Sequence, residues 1–237
     1  LGINNIPEKR CTYSCVYCQI GNTVKMSIKR EELYNPNRVF LAAKARVQYL
    51  KKINERLDYI TLVPNGEPTL DLSIRKLIKQ LKSLDIKIAV ITNSSLLYMD
   101  SVKQDLMDTD LISVKVDTVL EDSWRKIDRP HGHLNFEKIL NGVLEFSKEF
   151  NNDLITETML VNNINDGEDE IIKISEFIKR LNPSTSYILV PTRPPAEKWV
   201  EPPDHDKIIL FYDLLKQQNI NAQIISGYEG NEFSNTG

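Results

Sequence analysis

Three thiols stand together in this chain. Cys11, Cys15 and Cys18 are its only cysteines in 237 residues, and all fall within Cys11-Thr12-Tyr13-Ser14-Cys15-Val16-Tyr17-Cys18. Thiols at i, i+4 and i+7 admit three kinds of chemistry. A structural zinc site needs four ligands, and the nearest histidine, His131, lies more than a hundred residues downstream. A CxxC redox pair at Cys15 and Cys18 leaves Cys11 without a task. A [4Fe–4S] cube has four irons, so three thiolates hold three of them and leave the fourth open to a small chelating molecule. An odd, crowded set of cysteines is no disulfide framework, and a reducing, cytoplasmic compartment is expected.

A loop of this kind needs a scaffold to bring a ligand up to it. Residues 1–30 carry the loop and no long periodic element. Val39, Phe40, Ala43, Val47 and Leu50 recur at helical spacing and predict a helix over 37–55. A β-branched run over 59–63 ends in turn chemistry at Pro64-Asn65-Gly66-Glu67-Pro68. The alternation continues, with helices expected over 70–84, 98–107, 136–150, 168–181 and 206–217. Strands are expected over 87–91, 111–116, 154–161, 186–190 and 222–225. Short strands alternating with longer helices mean βαβ units and a parallel sheet. Right-handed crossovers curl six such units into an open or closed barrel, or wind them into a flat doubly wound sheet. In both, the site lies at the C-terminal ends of the strands. Residues 1–237 read as one domain. The stretch 191–203, with five prolines, is a candidate lid over the mouth.

The bulk numbers narrow the partners. A net charge of −3, from 30 basic and 33 acidic side chains, provides no global field for nucleic acid. No apolar run approaches the ~20 residues of a membrane span, so no membrane partner is expected. The start, Leu1-Gly2-Ile3-Asn4-Asn5, has neither a basic nor an apolar leader region, and no signal peptide is expected. It also lacks a Met, and 232–237 ends without a closing element. The chain is therefore expected to lack a short N-terminal piece and a C-terminal extension.

The CxxxCxxC spacing, with Tyr17 just before Cys18, resembles the signature of the radical S-adenosylmethionine (radical SAM) superfamily. The resemblance implies a partial (β/α)6 TIM-type barrel with a [4Fe–4S] cluster on Cys11, Cys15 and Cys18. It implies that S-adenosylmethionine chelates the open iron through its amino and carboxylate groups. The reduced cluster would then cleave the sulfonium to a 5′-deoxyadenosyl radical that abstracts hydrogen from a substrate. An external one-electron donor such as flavodoxin or ferredoxin is implied as a partner. The family's Gly-Gly-Glu-Pro turn stands here as Asn65-Gly66-Glu67-Pro68. Asn65 replaces the first glycine, and Asn tolerates positive φ. Glu67 is expected to face the ammonium of the methionine moiety. Thr92-Asn93-Ser94 resembles the family's strand end near the cofactor, which implicates Asn93. Asp117 matches a position at the ribose hydroxyls. Thr158-Met159-Leu160-Val161 and Leu189-Val190-Pro191, Val190 above all, match positions that pack on adenine.

Three further stretches resemble a narrower group, the prokaryotic Fe–S oxidoreductases related to the radical SAM enzyme of wybutosine biosynthesis. They are Leu1-Gly2-Ile3-Asn4-Asn5-Ile6-Pro7, Asp128-Arg129-Pro130-His131-Gly132 and Gly227-Tyr228-Glu229-Gly230. The wybutosine enzyme builds a tricyclic base on a tRNA guanosine from pyruvate and carries a second cluster on three further cysteines. The cysteines of this chain supply one cluster. A small molecule or nucleoside is the expected substrate; tRNA is an alternative without support from net charge. Arg129 and His131 are the candidate catalytic residues, with Asp128 and Arg193 beside them on the substrate side. An Arg at a barrel mouth suits carboxylate or phosphate. The plainer readings are a salt bridge for Arg129 and an idle loop for His131. Trp124 and Trp199 read as packing residues, and Lys44, Arg46, Lys51 and Lys52 as a solvated helix face. A non-catalytic structural metal-binding module is the alternative from a different class.

Overall fold

The computed structural model describes residues 1–227, in an α/β arrangement around one sheet. The sheet strands are β1 (Gly2–Ile3), β4 (Tyr59–Leu62), β5 (Lys87–Thr92), β6 (Leu111–Lys115), β7 (Asp153–Met159), β8 (Thr185–Leu189) and β9 (Ala222–Ile225). All neighbouring pairs are parallel, and the spatial order β1-β4-β5-β6-β7-β8-β9 follows the chain. A doubly wound sheet would reverse its order at a switch point. This one never does, so every crossover packs on the same side and the sheet curls as a partial barrel. β1 and β9 are not paired with each other, so the barrel is open.

Burial separates the two faces. Ile60, Leu62, Ile88, Val90, Ile112, Val114 and Ile188 point outward under the helices and are fully buried. Their alternates Thr61, Ile91, Lys115, Glu157 and Leu189 point into the lumen and are half-buried. Period-2 alternation thus gives the strands two unlike surfaces: a dry one under helices and a more polar, accessible one at the centre.

The helices are α1 (Pro36–Lys52), α2 (Ile74–Lys82), α3 (Asp100–Leu106), α4 (Glu121–Ile127), α5 (Phe136–Glu149), α6 (Glu168–Leu181) and α7 (His205–Gln217). Local chemistry sets their ends. Asn35 caps α1 through Asn37 N at 2.9 Å, with Pro36 in the first turn. Asn182 closes α6 in the left-handed region, at φ 51°. The single helix expected over 70–84 is two pieces, a 3₁₀ turn Pro68–Leu70 and α2. Asp71 interrupts it: its carboxylate accepts from Ser73 N at 2.8 Å, and Leu72 N reaches across to Glu31 O at 3.0 Å. The two-residue strand β1 and the seven-residue α4 were not anticipated.

A second, two-stranded sheet joins β2 (Arg10–Cys11) to β3 (Lys25–Met26) and frames the cysteine loop. Trp124 is buried as expected, but Trp199 is 52 % exposed and packs into no core.

Candidate functional site

The cysteine loop is held from both ends. Cys11 closes β2, and Arg10 bridges to Gly66 beside it. A Cβ at Gly66 would sit 2.0 Å from Arg10 O, so glycine is required there for close approach. Neither Asn65 nor Gly66 has a positive φ, so that expectation for Asn65 is not met.

From the other side the loop is stapled to the end of α4. Val16 N donates to Ile127 O at 2.9 Å, Ser14 N to Asp128 O at 3.0 Å, and His131 N to Thr12 O at 2.9 Å. Trp124 Nε1 donates to the buried Tyr13 hydroxyl at 3.1 Å. The stretch 127–131 is therefore a backbone rail for the cysteines.

This placement sets the candidate catalytic pair apart from the central cavity. The Arg129 side chain turns away from the central cavity and pairs with Glu197, and its backbone is left-handed at φ 45°. His131 accepts from His133 N at 3.3 Å and packs edge-on against that ring. Neither residue lines the central cavity. The rail needs their backbone groups, and that throws their side chains to the outer side.

The stretch 191–203 likewise departs from an open lid. Glu197 N donates to Val16 O at 3.0 Å, and Val200 is buried against Val16, Ile127 and Val161. The 197–200 part of the stretch is docked against the cysteine loop, while Pro191, Thr192 and Arg193 line the central cavity.

The three thiols are free, half-buried, and open on one cavity of about 610 Å³. Glu67, Asn93, Asp117 and Val190 line the same cavity, with Asn65, Gly66 and Tyr17. Lys9 and Arg193 stand at its rim, and Arg193 donates to Gln19 Oε1 at 2.9 Å. A larger cleft, of about 760 Å³, runs along β1 and α1 and holds none of the cysteines. Among the described residues, no three His, Cys, Asp or Glu side chains converge on a single ion position. A shared mononuclear ion needs such convergence, whereas a cube gives each thiolate its own iron.

Two side chains touch the sulfurs from the strand ends. Asn93 Nδ2 donates to Thr12 Oγ1 at 2.8 Å and reaches Cys11 Sγ at 3.4 Å. Lys115 Nζ lies 3.3 Å from Cys15 Sγ, 3.0 Å from Asp117 and 3.3 Å from Asp128.

The Glu67 carboxylate lines the cavity and is already engaged by neighbouring donors. It is buried, and its oxygens accept from Thr69 N at 3.1 Å, Thr92 Oγ1 at 2.7 Å and Asn93 N at 2.8 Å. It caps the 3₁₀ turn and pins the end of β5. Asp117 accepts from the Tyr17 hydroxyl and from Met159 N at 2.9 Å.

Electrostatics keeps the metal-free thiols protonated. Burial pushes the Cys11 thiol up to about 12, with Glu67 adding to the rise. Burial likewise raises Cys15 well above its ordinary value and raises Cys18. Thiols that resist losing a proton here become ligands when a cation's own charge offsets the thiolate.

Lys115, Glu157 and Asn165 were missed in the sequence. Ser113, Lys115 and Asp117 alternate with Ile112, Val114 and Val116, a polar row on the inner face of a strand, and that pattern could have found Lys115. Buried Asn165 clamps the β6 and β7 ends by donating to Asp117 O at 2.7 Å and Met159 O at 2.8 Å. No sequence signal marks it. Gly227 ends the described residues, and Tyr228, Glu229 and Gly230 lie outside them.

Residues 5–176 match the family model of the Radical SAM superfamily. A UPF0026 protein of Methanocaldococcus jannaschii is 44% identical over 236 residues, covering 98% of this chain and 73% of that protein. Streptococcus suis SuiB bound to S-adenosylmethionine superposes with a TM-score of 0.68 at 15% identity, over 95% of this chain and 50% of its own. TYW1 with a lysine-pyruvate adduct superposes with a TM-score of 0.59 at 20% identity, over 87% of this chain and 70% of its own. These structural likenesses concern the fold.

Proposed function

The chain belongs to the radical SAM superfamily, and from that premise we propose that it is a radical SAM enzyme acting on a small molecule or nucleoside. In this reading Cys11, Cys15 and Cys18 hold a [4Fe–4S] cluster, and the cavity in front of them takes S-adenosylmethionine and substrate. The observation that carries the reading is the set of three free thiols opening on one cavity at the C-terminal ends of the strands.

A cluster held by Cys11, Cys15 and Cys18 would supply single-electron reduction to a bound S-adenosylmethionine. The residues of this chain position and shield. Gly66 lets the backbone come close beside Cys11. Asn93 orients Cys11 by hydrogen bonding. The cavity walls include the apolar side chains Val63, Ile91, Met159, Leu189 and Ile225. Lys9 and Arg193 at the rim suit an anionic substituent on the substrate.

Anaerobic reconstitution with iron and sulfide tests the reading. The reduced protein is expected to turn S-adenosylmethionine into 5′-deoxyadenosine. A protein with a full cluster that forms no 5′-deoxyadenosine under strong reduction would overturn it. One zinc and no sulfide on metal analysis would favour the structural module instead.

A further inference from the structure

Lys115 is the cationic side chain nearest the sulfurs. An ammonium has three N–H donors. Here each has an acceptor: Asp117 Oδ2 at 3.0 Å, Asp128 Oδ1 at 3.3 Å and Cys15 Sγ at 3.3 Å. The stem passes over the Tyr17 ring, with Nζ 4.3 Å from its centroid. Both carboxylates are themselves anchored. Asp117 accepts from Met159 N at 2.9 Å, and Asp128 from the Cys15 thiol at 3.1 Å. The ammonium is thus fixed by two carboxylates and by a ring, and one N–H is directed at a cysteine sulfur.

Lys115 is paired on two sides with the carboxylates of Asp117 and Asp128. Glu157, the registered neighbour of Lys115 on β7, also feels the ammonium but makes no ion pair with it among the described residues. Glu157 spends one oxygen on the Ser113 hydroxyl at 2.6 Å.

We propose that Lys115 is a positioning residue for the cluster, donating to the Cys15 sulfur and making the cluster easier to reduce. The inference rests on the reading that the three cysteines hold a [4Fe–4S] cube. Hydrogen bonds to cluster sulfurs and nearby charge are established determinants of cluster potential. A cube that gains one electron gains one unit of negative charge, which a fixed cation a few ångströms away stabilises. The opposing carboxylates Asp117 and Asp128 keep the local charge from becoming positive, so the effect of Lys115 is directional and short-ranged.

The test is a redox titration without S-adenosylmethionine. Dithionite supplies the single electron through mediators, and the reduced cluster is followed by its electron paramagnetic resonance signal. Iron and sulfide counts are taken on every sample. Lys115→Met is expected to keep a full cluster and to titrate at a more negative potential than the unsubstituted chain. Lys115→Arg, which retains a donating cation, is expected to restore most of the difference. Asp128→Asn, which removes a negative charge and leaves Lys115, is expected to shift the potential the opposite way. A fully loaded Lys115→Met protein with an unshifted potential overturns the proposal. So does an equal shift in Lys115→Arg, which would mark a packing effect. If Lys115→Met takes up no cluster, the Arg and Asn variants decide by the same criterion. An unsubstituted chain that takes up no cluster fails at the iron and sulfide counts, and that failure belongs to the proposed function itself.

Discussion

The Tyr17 hydroxyl donates to the carboxylate of Asp117, 100 residues away in the chain. One residue stands between two cysteines of the loop, and the other lies just past the end of β6. The bond therefore ties the cysteine loop to the strand that also carries Lys115. Tyr17→Phe removes the donor but leaves Asp117 with Lys115 and Met159 N. A cost of about 1–3 kcal/mol is expected for a buried acceptor that loses a partner. The midpoint of denaturant unfolding of the metal-free protein checks it, and an unchanged midpoint would mean that the phenol is dispensable.

Gly66 is expected to tolerate no side chain. A Cβ would meet Arg10 O at 2.0 Å and Arg10 C at 3.0 Å, and that backbone is held by Glu67 N at 3.1 Å. Gly66→Ala must push apart the two segments that frame Cys11, at a cost of about 3 kcal/mol or more. Gly132→Ala is the control, because nothing lies within 4 Å of its added methyl. Thermal unfolding and iron uptake of both variants should separate them clearly. Equal behaviour would contradict the close approach.

The expectations that held were those with local causes. The helix Glu168–Leu181 and the strand Ala222–Ile225 match the residues their periodicity marks out. The three thiols, crowded in the sequence, line one cavity. Where tertiary contacts decide, the sequence was silent. Asp71 looks like any helix residue until its contacts with Asn5 and Ser73 are seen. Arg129 and His131 read as substrate groups because they are polar and their stretch resembles the narrower group. Their stretch is a rail for the cysteine loop, and only the pairing with 12–16 reveals it. The donors that fix Glu67 lie on Thr69 and, farther along the chain, on Thr92 and Asn93, and its turn alone does not reveal them.

The metal-free thiols are expected to be slow nucleophiles. Thiolate is the reactive form, and burial raises all three, Cys11 to about 12. Iodoacetamide at pH 7.5, roughly a unit below an ordinary cysteine value, should label the folded metal-free protein far more slowly than the urea-unfolded chain. Mass spectrometry of the sites reads the outcome. Labelling at the unfolded rate would show that the loop opens on its own, and reconstitution should abolish labelling altogether.

The metal-free protein is also expected to be more stable in mild acid than in mild base. Burial pushes the Asp128 carboxyl to about 7, against the opposing pull of Lys115. Burial likewise raises Glu67, Asp117 and Glu157. A native value above the unfolded one means that the folded chain binds the proton more tightly. The stabilisation is therefore full below about pH 4, where the unfolded carboxyls also carry their protons. It is lost as pH rises from there through about 7. Each tenfold gain in proton affinity on folding corresponds to about 1.4 kcal/mol, so Asp128 alone accounts for a loss on the order of a few kcal/mol. Urea unfolding of the metal-free chain at pH 5 and pH 8 measures the difference, and Asp128→Asn should flatten it because an amide does not titrate. An equal slope in the two proteins would assign the pH dependence to other carboxyls.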